Sequence, residues 1–139
     1  MLQIVTNVSM LPLSPHERRQ VYTCLIRGAD RGAGKPEGSG GQWEWLMAAH
    51  VVGQHDATMH LDCHRRMARL ARDSRDWSEL AGQVLRILLL PLGHLVGRVP
   101  EVNIGRAGVG VTQCMAPPEP VQVLIDWAVL GTRIPGTRW

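Results

Sequence analysis

WEWLMAAHVVGQHDATMHLDCHRRM, residues 43–67, decides how this chain folds. Trp43, Leu46, Met47, His50 and Val51 recur at the spacing of one helical face, which predicts a helix over about 42–53 with His50 turned inward. Asp56 is a side-chain acceptor placed to cap a second helix, expected over 56–73. At about 100° per residue, His60, His64, Met67 and Ala71 lie within about 60° of one another. Arg65, Arg69 and Arg72 fall on the opposite side. A tight turn centred on His55 makes residues equidistant from it neighbours across the helix pair, and His50 and His60 are such a pair.

Three imidazoles can therefore converge from two rigid elements. Three histidines with an open coordination position suit zinc, copper, iron or nickel. Cys63 and Met67 lie beside the stripe, and either one joining would favour Cu(I). Glu44 backs a ligating ring if its helix is rotated suitably, whereas Asp62 sits about 200° from His60 and points away; a surface position is the commoner reading for both acids. The competing reading is structural: an inward histidine is more often a core residue donating to a carbonyl. Position 61 is Leu, so the HExxH signature of zinc proteases is absent. The spacing leaves open whether His16 or His94 joins the group.

Working outward, Ser14-Pro15-His16-Glu17 has the pattern of a capping box and opens a helix expected to end near Gly28. The glycine-rich stretch 31–41 reads as a mobile loop and 1–13 as an extended arm. Ser74 to Glu79 supplies another helix start, and Leu80, Val84, Ile87 and Leu88 suggest an inward apolar face. Pro91 is expected to kink or end that helix. From Gly93 the texture turns to glycine, valine and proline, a long irregular connection with at most a short strand. Pro120 then opens a last helix over about 121–130, with 131–139 as a polar tail. The fold class is all-α: a single helical domain, residues 14–130, built as a small bundle on a helical hairpin.

The chain has 139 residues, a formal net charge of +3 and mean hydropathy of −0.06. Its longest apolar stretch, 84–96, is interrupted by Arg86, Pro91 and His94, too short a run for a membrane span. No positive charge precedes the apolar amino terminus, so a secretory signal is not expected and a cytoplasmic setting is. The three cysteines, in no CxxC spacing, read as reduced thiols. The arginines of residues 65–75 are interleaved with Asp62, Asp73 and Asp76, which argues against nucleic acid. NIGRAGVGV lacks both GxGxxG and a Walker lysine, which argues against phosphate binding. Neighbours on a helix point about 100° apart, so His64 is poorly placed to activate Cys63 as a nucleophile.

AAHVVGQ (48–54), the H-x-x-x-H of 60–64, RDWSELAGQVLRILLLPLGHLVGRVP (75–100), VNIGRAGV (102–109) and CMAPPEP (114–120) occur in the order of a known family. Over about 47–124 the chain resembles a family of small bacterial proteins known only as a domain of unknown function. The resemblance implies a helical, partly tetratricopeptide-like protein of the kind often encoded near heavy-metal efflux genes. It carries His50, His60 and His64 onto family histidines, and Asn103, Gly105 and Arg106 onto a glycine-rich segment expected to brace the hairpin. Gly108, Cys114 and Ala116 depart from the family pattern. No activity comes with the resemblance. Three functions remain open: a transition-metal-binding protein acting in metal handling or as the metal-bearing subunit of a partner enzyme; an interaction module with structural histidines; and a small metal-dependent enzyme. A protein partner or a homo-oligomer fits the first two.

Overall fold

A computed structural model describes residues 12–31, 40–100 and 102–134. Most of the expected amino-terminal arm and glycine-rich loop lies outside the described residues. The described residues form five helices and no strand: α1 (Pro15–Arg31), α2 (Gln42–Gly53), α3 (Ala57–Asp73), α4 (Trp77–Leu95) and α5 (Glu119–Arg133). The architecture is all-α, as the periodicity predicts.

The reciprocal cap forms at the start of α1, where Ser14 N–H donates to Glu17 Oε2 at 2.9 Å and Glu17 N–H donates to Ser14 Oγ at 3.2 Å. The helix does not stop at Gly28, because that glycine serves packing. A Cβ there would lie 2.1 Å from the ring of Trp45, so only glycine lets α2 approach this closely. Trp45 in turn meets Trp127 of α5 edge-on at 5.7 Å. The helix α2 is buried nearly all round, from Trp45 to Gly53, instead of along the single expected face. It is the central rod, with α1, α3 and α5 packed about it.

Asp56 caps α3 as its sequence position suggests, accepting from the N–H groups of Thr58 (2.9 Å) and Met59 (3.1 Å). The turn between α2 and α3 thus has a defined exit, and His50 faces His60 and His64 across it. On the far side of α3, Arg66 pairs with Asp62 and Asp30, and Asp62 also accepts from the Tyr22 hydroxyl at 2.7 Å. Those charges ring the bundle, away from the histidines.

The helix α4 is rotated from the expected orientation: of the apolar face read in the sequence, Leu80 and Ile87 are half-buried. Glu79, Gln83, Arg86 and Leu90 face inward, while Val84 and Leu88 of the supposed core face are exposed. The reason is long-range: the inward polar groups find partners on the irregular segment after Gly97, so their burial leaves few unpaired atoms. Pro91 does not end α4, which continues to Leu95. Its missing N–H withdraws one bond from the Ile87 carbonyl on a helix that is exposed at Leu88, Pro91 and Leu92, where solvent reaches the backbone. At the other end of the chain α5 runs to Arg133, into the stretch read as tail, and the Arg133 guanidinium pairs with Glu17 at 3.1 Å.

Candidate metal centre

Two helices bring three rings together. His50 near the end of α2 and His60 and His64 one turn apart on α3 have mutual ring-centroid distances of 4.8 Å. Their facing atoms are all Nε2: His50 to His64 is 3.3 Å and His60 to His64 is 3.1 Å. One ligand nitrogen from each ring lies within 4.8 Å of the others, so the group could hold a metal ion. Two nitrogens on a tetrahedral metal at roughly 2.0–2.1 Å are about 3.3–3.4 Å apart, close to the spacing found here.

Each opposite nitrogen, Nδ1, is engaged from behind. His50 Nδ1 lies 2.7 Å from the Asn103 carbonyl, an obligate acceptor, so that nitrogen carries the proton. His64 Nδ1 lies 2.7 Å from Gln83 Oε1. The amide orientation of Gln83 is set by its Nε2, which donates to Glu79 Oε1 and to the Gly105 carbonyl, both at 2.8 Å. His64 therefore also holds its proton on Nδ1. It follows that the 3.3 Å contact between His50 and His64 is no hydrogen bond: two lone pairs point at each other. His60 Nδ1 lies 2.9 Å from His94 Nε2, and with the His60 proton on Nδ1 all three Nε2 lone pairs converge.

Burial reinforces the neutral state. It pushes His50 well below the ordinary imidazole range, with help from His64 and His60. Burial likewise takes His60 down to about 3 and His64 down to about 4, the nearby rings adding to the effect at His60. Neutral imidazoles are the form that ligates metals.

The segment after α4 braces these rings. Asn103 offers its carbonyl to His50, donates its N–H to Gln54 Oε1 (3.1 Å), and ties its own loop through Nδ2 to the carbonyls of Gly110 and Gln113. Gly105 has a left-handed φ of 78°, and a Cβ there would stand 2.8 Å from the His50 ring. Arg106 stacks 3.9 Å over the Trp43 ring and pairs with Glu79 at 3.2 Å. Gly105→Ala should accordingly cost about 1–3 kcal/mol for the backbone alone, and further for the displaced ring. A thermal melt will register this as a lowered Tm, and an unshifted midpoint contradicts the packing described.

Other sequence candidates stand elsewhere. The Cys63 thiol is buried 3.6 Å from the Tyr22 hydroxyl and 4.0 Å from the Leu46 carbonyl, and burial drives its pKa up to about 12. Met67 is a fully buried core residue. Both therefore lie outside the three-nitrogen group: Tyr22 of α1 takes up the Cys63 thiol, and Met67 belongs to the hydrophobic core. Glu44 folds against Gly40 and Gly41 at the start of α2 and backs no ring. His16 is exposed on the first turn of α1, and His94 serves His60 from behind. The residues that sequence reasoning passed over are Gln54, Glu79, Gln83 and Arg86. Their one signal was polar side chains at 79, 83 and 86, a helical repeat within a run of leucines.

A cavity of about 200 Å³ opens beside the rings, lined by all three histidines, Arg86, Arg98 and Asn103 on one part and by Leu89, Leu90, Val96 and Val99 on another. What the fold and site define is an all-α protein with a buried histidine trio on a helical hairpin. A family model described as "Protein of unknown function (DUF3703)" matches residues 17–125, and the chain belongs to that family. The match takes in α1, further towards the amino terminus than the segments compared above. No curated protein and no solved structure matches the chain.

Proposed function

We propose that this chain binds one transition-metal ion through Nε2 of His50, His60 and His64, and acts in metal handling or as the metal-bearing subunit of a partner enzyme. The observation that carries the reading is the pair of opposed lone pairs on His50 and His64, each enforced by an acceptor behind the ring. A cation between them turns a repulsion into two bonds. Structural histidines, by contrast, would be expected to find partners for both nitrogens. Acceptors behind ligating rings are also the usual outer support of metal sites. With Cys63 and Met67 engaged elsewhere, the donor set is three neutral nitrogens, which fits zinc, copper(II), iron or nickel better than Cu(I). The expected gene setting near heavy-metal efflux functions belongs to the same reading. So does a cytoplasmic location: the three cysteines are free thiols, and no helix among the described residues is long and apolar enough to cross a membrane.

Metal content decides the question. Full-length protein purified without an affinity tag and titrated with cobalt(II) should take up one ion per chain and develop visible d–d bands. A colourless, metal-free chain at saturating cobalt overturns the reading. The cavity beside the rings favours a second reading, a small metal-dependent enzyme whose bound water would be acidified by the ion. Failure of the zinc form to hydrolyse any of a panel of small activated esters counts against it.

The partner called for by this reading is a second copy of the chain. Along α4, positions 77, 81, 84, 88, 91 and 95 repeat at alternating intervals of four and three and lie on the outer face, with Leu88 71% and Leu95 83% exposed. The two charged residues of α4, Glu79 and Arg86, both point inward, so this face offers nothing for a charged partner to pair with. The matching uncharged stripe on another copy is its natural complement, joined about a two-fold axis. Sedimentation should give a dimer for the wild type and a monomer for Leu88→Glu/Leu95→Glu, and a wild-type monomer removes the dimer from the proposal.

A further inference from the structure

Charge balance at the cavity points to its ligand. Three imidazoles are neutral, so a divalent ion held by them keeps both of its charges. Arg86 adds a third: the residue is only 7% exposed, borders the same cavity as the rings, and forms no ion pair among the described residues. Its Nη2 donates to the carbonyls of Arg106 and Val109, which fix its position without cancelling its charge. The nearest buried carboxylate, Glu79, is already engaged by Arg106, Gln83 and the Ala107 N–H. Uncompensated charge in such a place costs several kcal/mol per ion, so the loaded site calls for an anion.

The remaining wall says what kind. Leu89, Leu90, Val96 and Val99 line the cavity with aliphatic carbon. A phosphate would need several fixed N–H donors; Arg98 also lines the cavity but is exposed, so Arg86 is the one buried guanidinium there. An apolar cavity of roughly 150 Å³ is enough to take benzene, and about 200 Å³ is present here. We infer that the cavity binds a small monocarboxylate with an apolar body, its carboxylate shared between the histidine-held metal and Arg86 and its body lying against Leu89, Leu90, Val96 and Val99. This rests on the metal reading and names the ligand class of that same site.

The test uses the full chain loaded with cobalt(II), with benzoate as the probe. Benzoate should shift the visible bands saturably. Benzyl alcohol, which has the ring without the charge, should leave them unchanged, and acetate and inorganic phosphate should act at least about tenfold more weakly, since neither fills the aliphatic end. Arg86→Met should weaken benzoate by about tenfold or more, the loss of a charged hydrogen-bonding partner, while the cobalt bands persist. Because Arg86 also holds two loop carbonyls, Val99→Phe provides an independent variant that fills the cavity and leaves that network intact. It should retain cobalt and lose benzoate. Cobalt bands that benzoate does not move, or moves equally in Val99→Phe, overturn the inference and leave metal binding standing. Absence of the bands in the wild type overturns metal binding, and the ligand assignment with it.

Discussion

His60→Ala/His64→Ala is expected to hold cobalt(II) or zinc about 10⁴-fold more weakly than the wild type. Structural zinc sites with four ligands bind with roughly 10–16 kcal/mol, about 3 kcal/mol per ligand, so losing two rings costs on the order of 6 kcal/mol. His50 alone remains, and a single imidazole at the end of α2 has no chelating partner. The variant should keep its helical content, because neither ring belongs to the apolar core around Trp45, Leu46 and Met67. Competition against a chromophoric chelator measures the affinity, and circular dichroism checks the fold. Equal metal content in the variant and the wild type, with the fold intact, means that the ions bind somewhere other than the trio.

Gln83→Leu should damage stability and metal affinity together, through a residue that is not among the three rings. Gln83 is fully buried and satisfies three groups at once: His64 Nδ1, Glu79 Oε1 and the Gly105 carbonyl. Leucine of similar volume abandons all three. Each buried polar group left without a partner costs about 1–3 kcal/mol, so a loss of about 3 kcal/mol or more in urea denaturation is expected. Metal affinity should fall a further 10–100-fold, the usual cost of removing the acceptor behind a ligating histidine, since the His64 tautomer is no longer enforced. Gln83→Glu separates the two effects. It keeps an acceptor for His64 and gives up the donors to Glu79 and Gly105, so affinity should recover more than stability does. If Gln83→Leu matches the wild type in both measurements, the tautomer argument for the opposed lone pairs is lost.

The hairpin was legible in the sequence because its determinants are local. Asp56 caps within three residues, and the inward position of His50, His60 and His64 follows from helical repeat and a short turn. What lay out of reach was set by distant chain. The orientation of α4 depends on Glu79, Gln83 and Arg86 meeting Gly105, Arg106, Ala107 and Val109, on a segment with no periodicity to read. Judged by hydrophobicity alone, the leucines belonged inside. Gly28 looked like a stop signal because its use, admitting the Trp45 ring, requires knowing that α2 lies against it. Cys63 and Met67 lay beside the histidine stripe in projection, but the thiol meets the Tyr22 hydroxyl and Met67 is taken up by the core, contacts that the sequence does not show.

The contact between His50 and the Asn103 carbonyl spans 53 residues of chain. During synthesis the helical hairpin therefore leaves the ribosome well before the strap that orients its first ring, and a nascent chain that ends short of residue 103 holds all three imidazoles without the acceptor that fixes the proton of His50. Closing that long loop is what turns the trio from three independent side chains into a matched set, so the metal capture proposed for it would come late in the life of each new molecule.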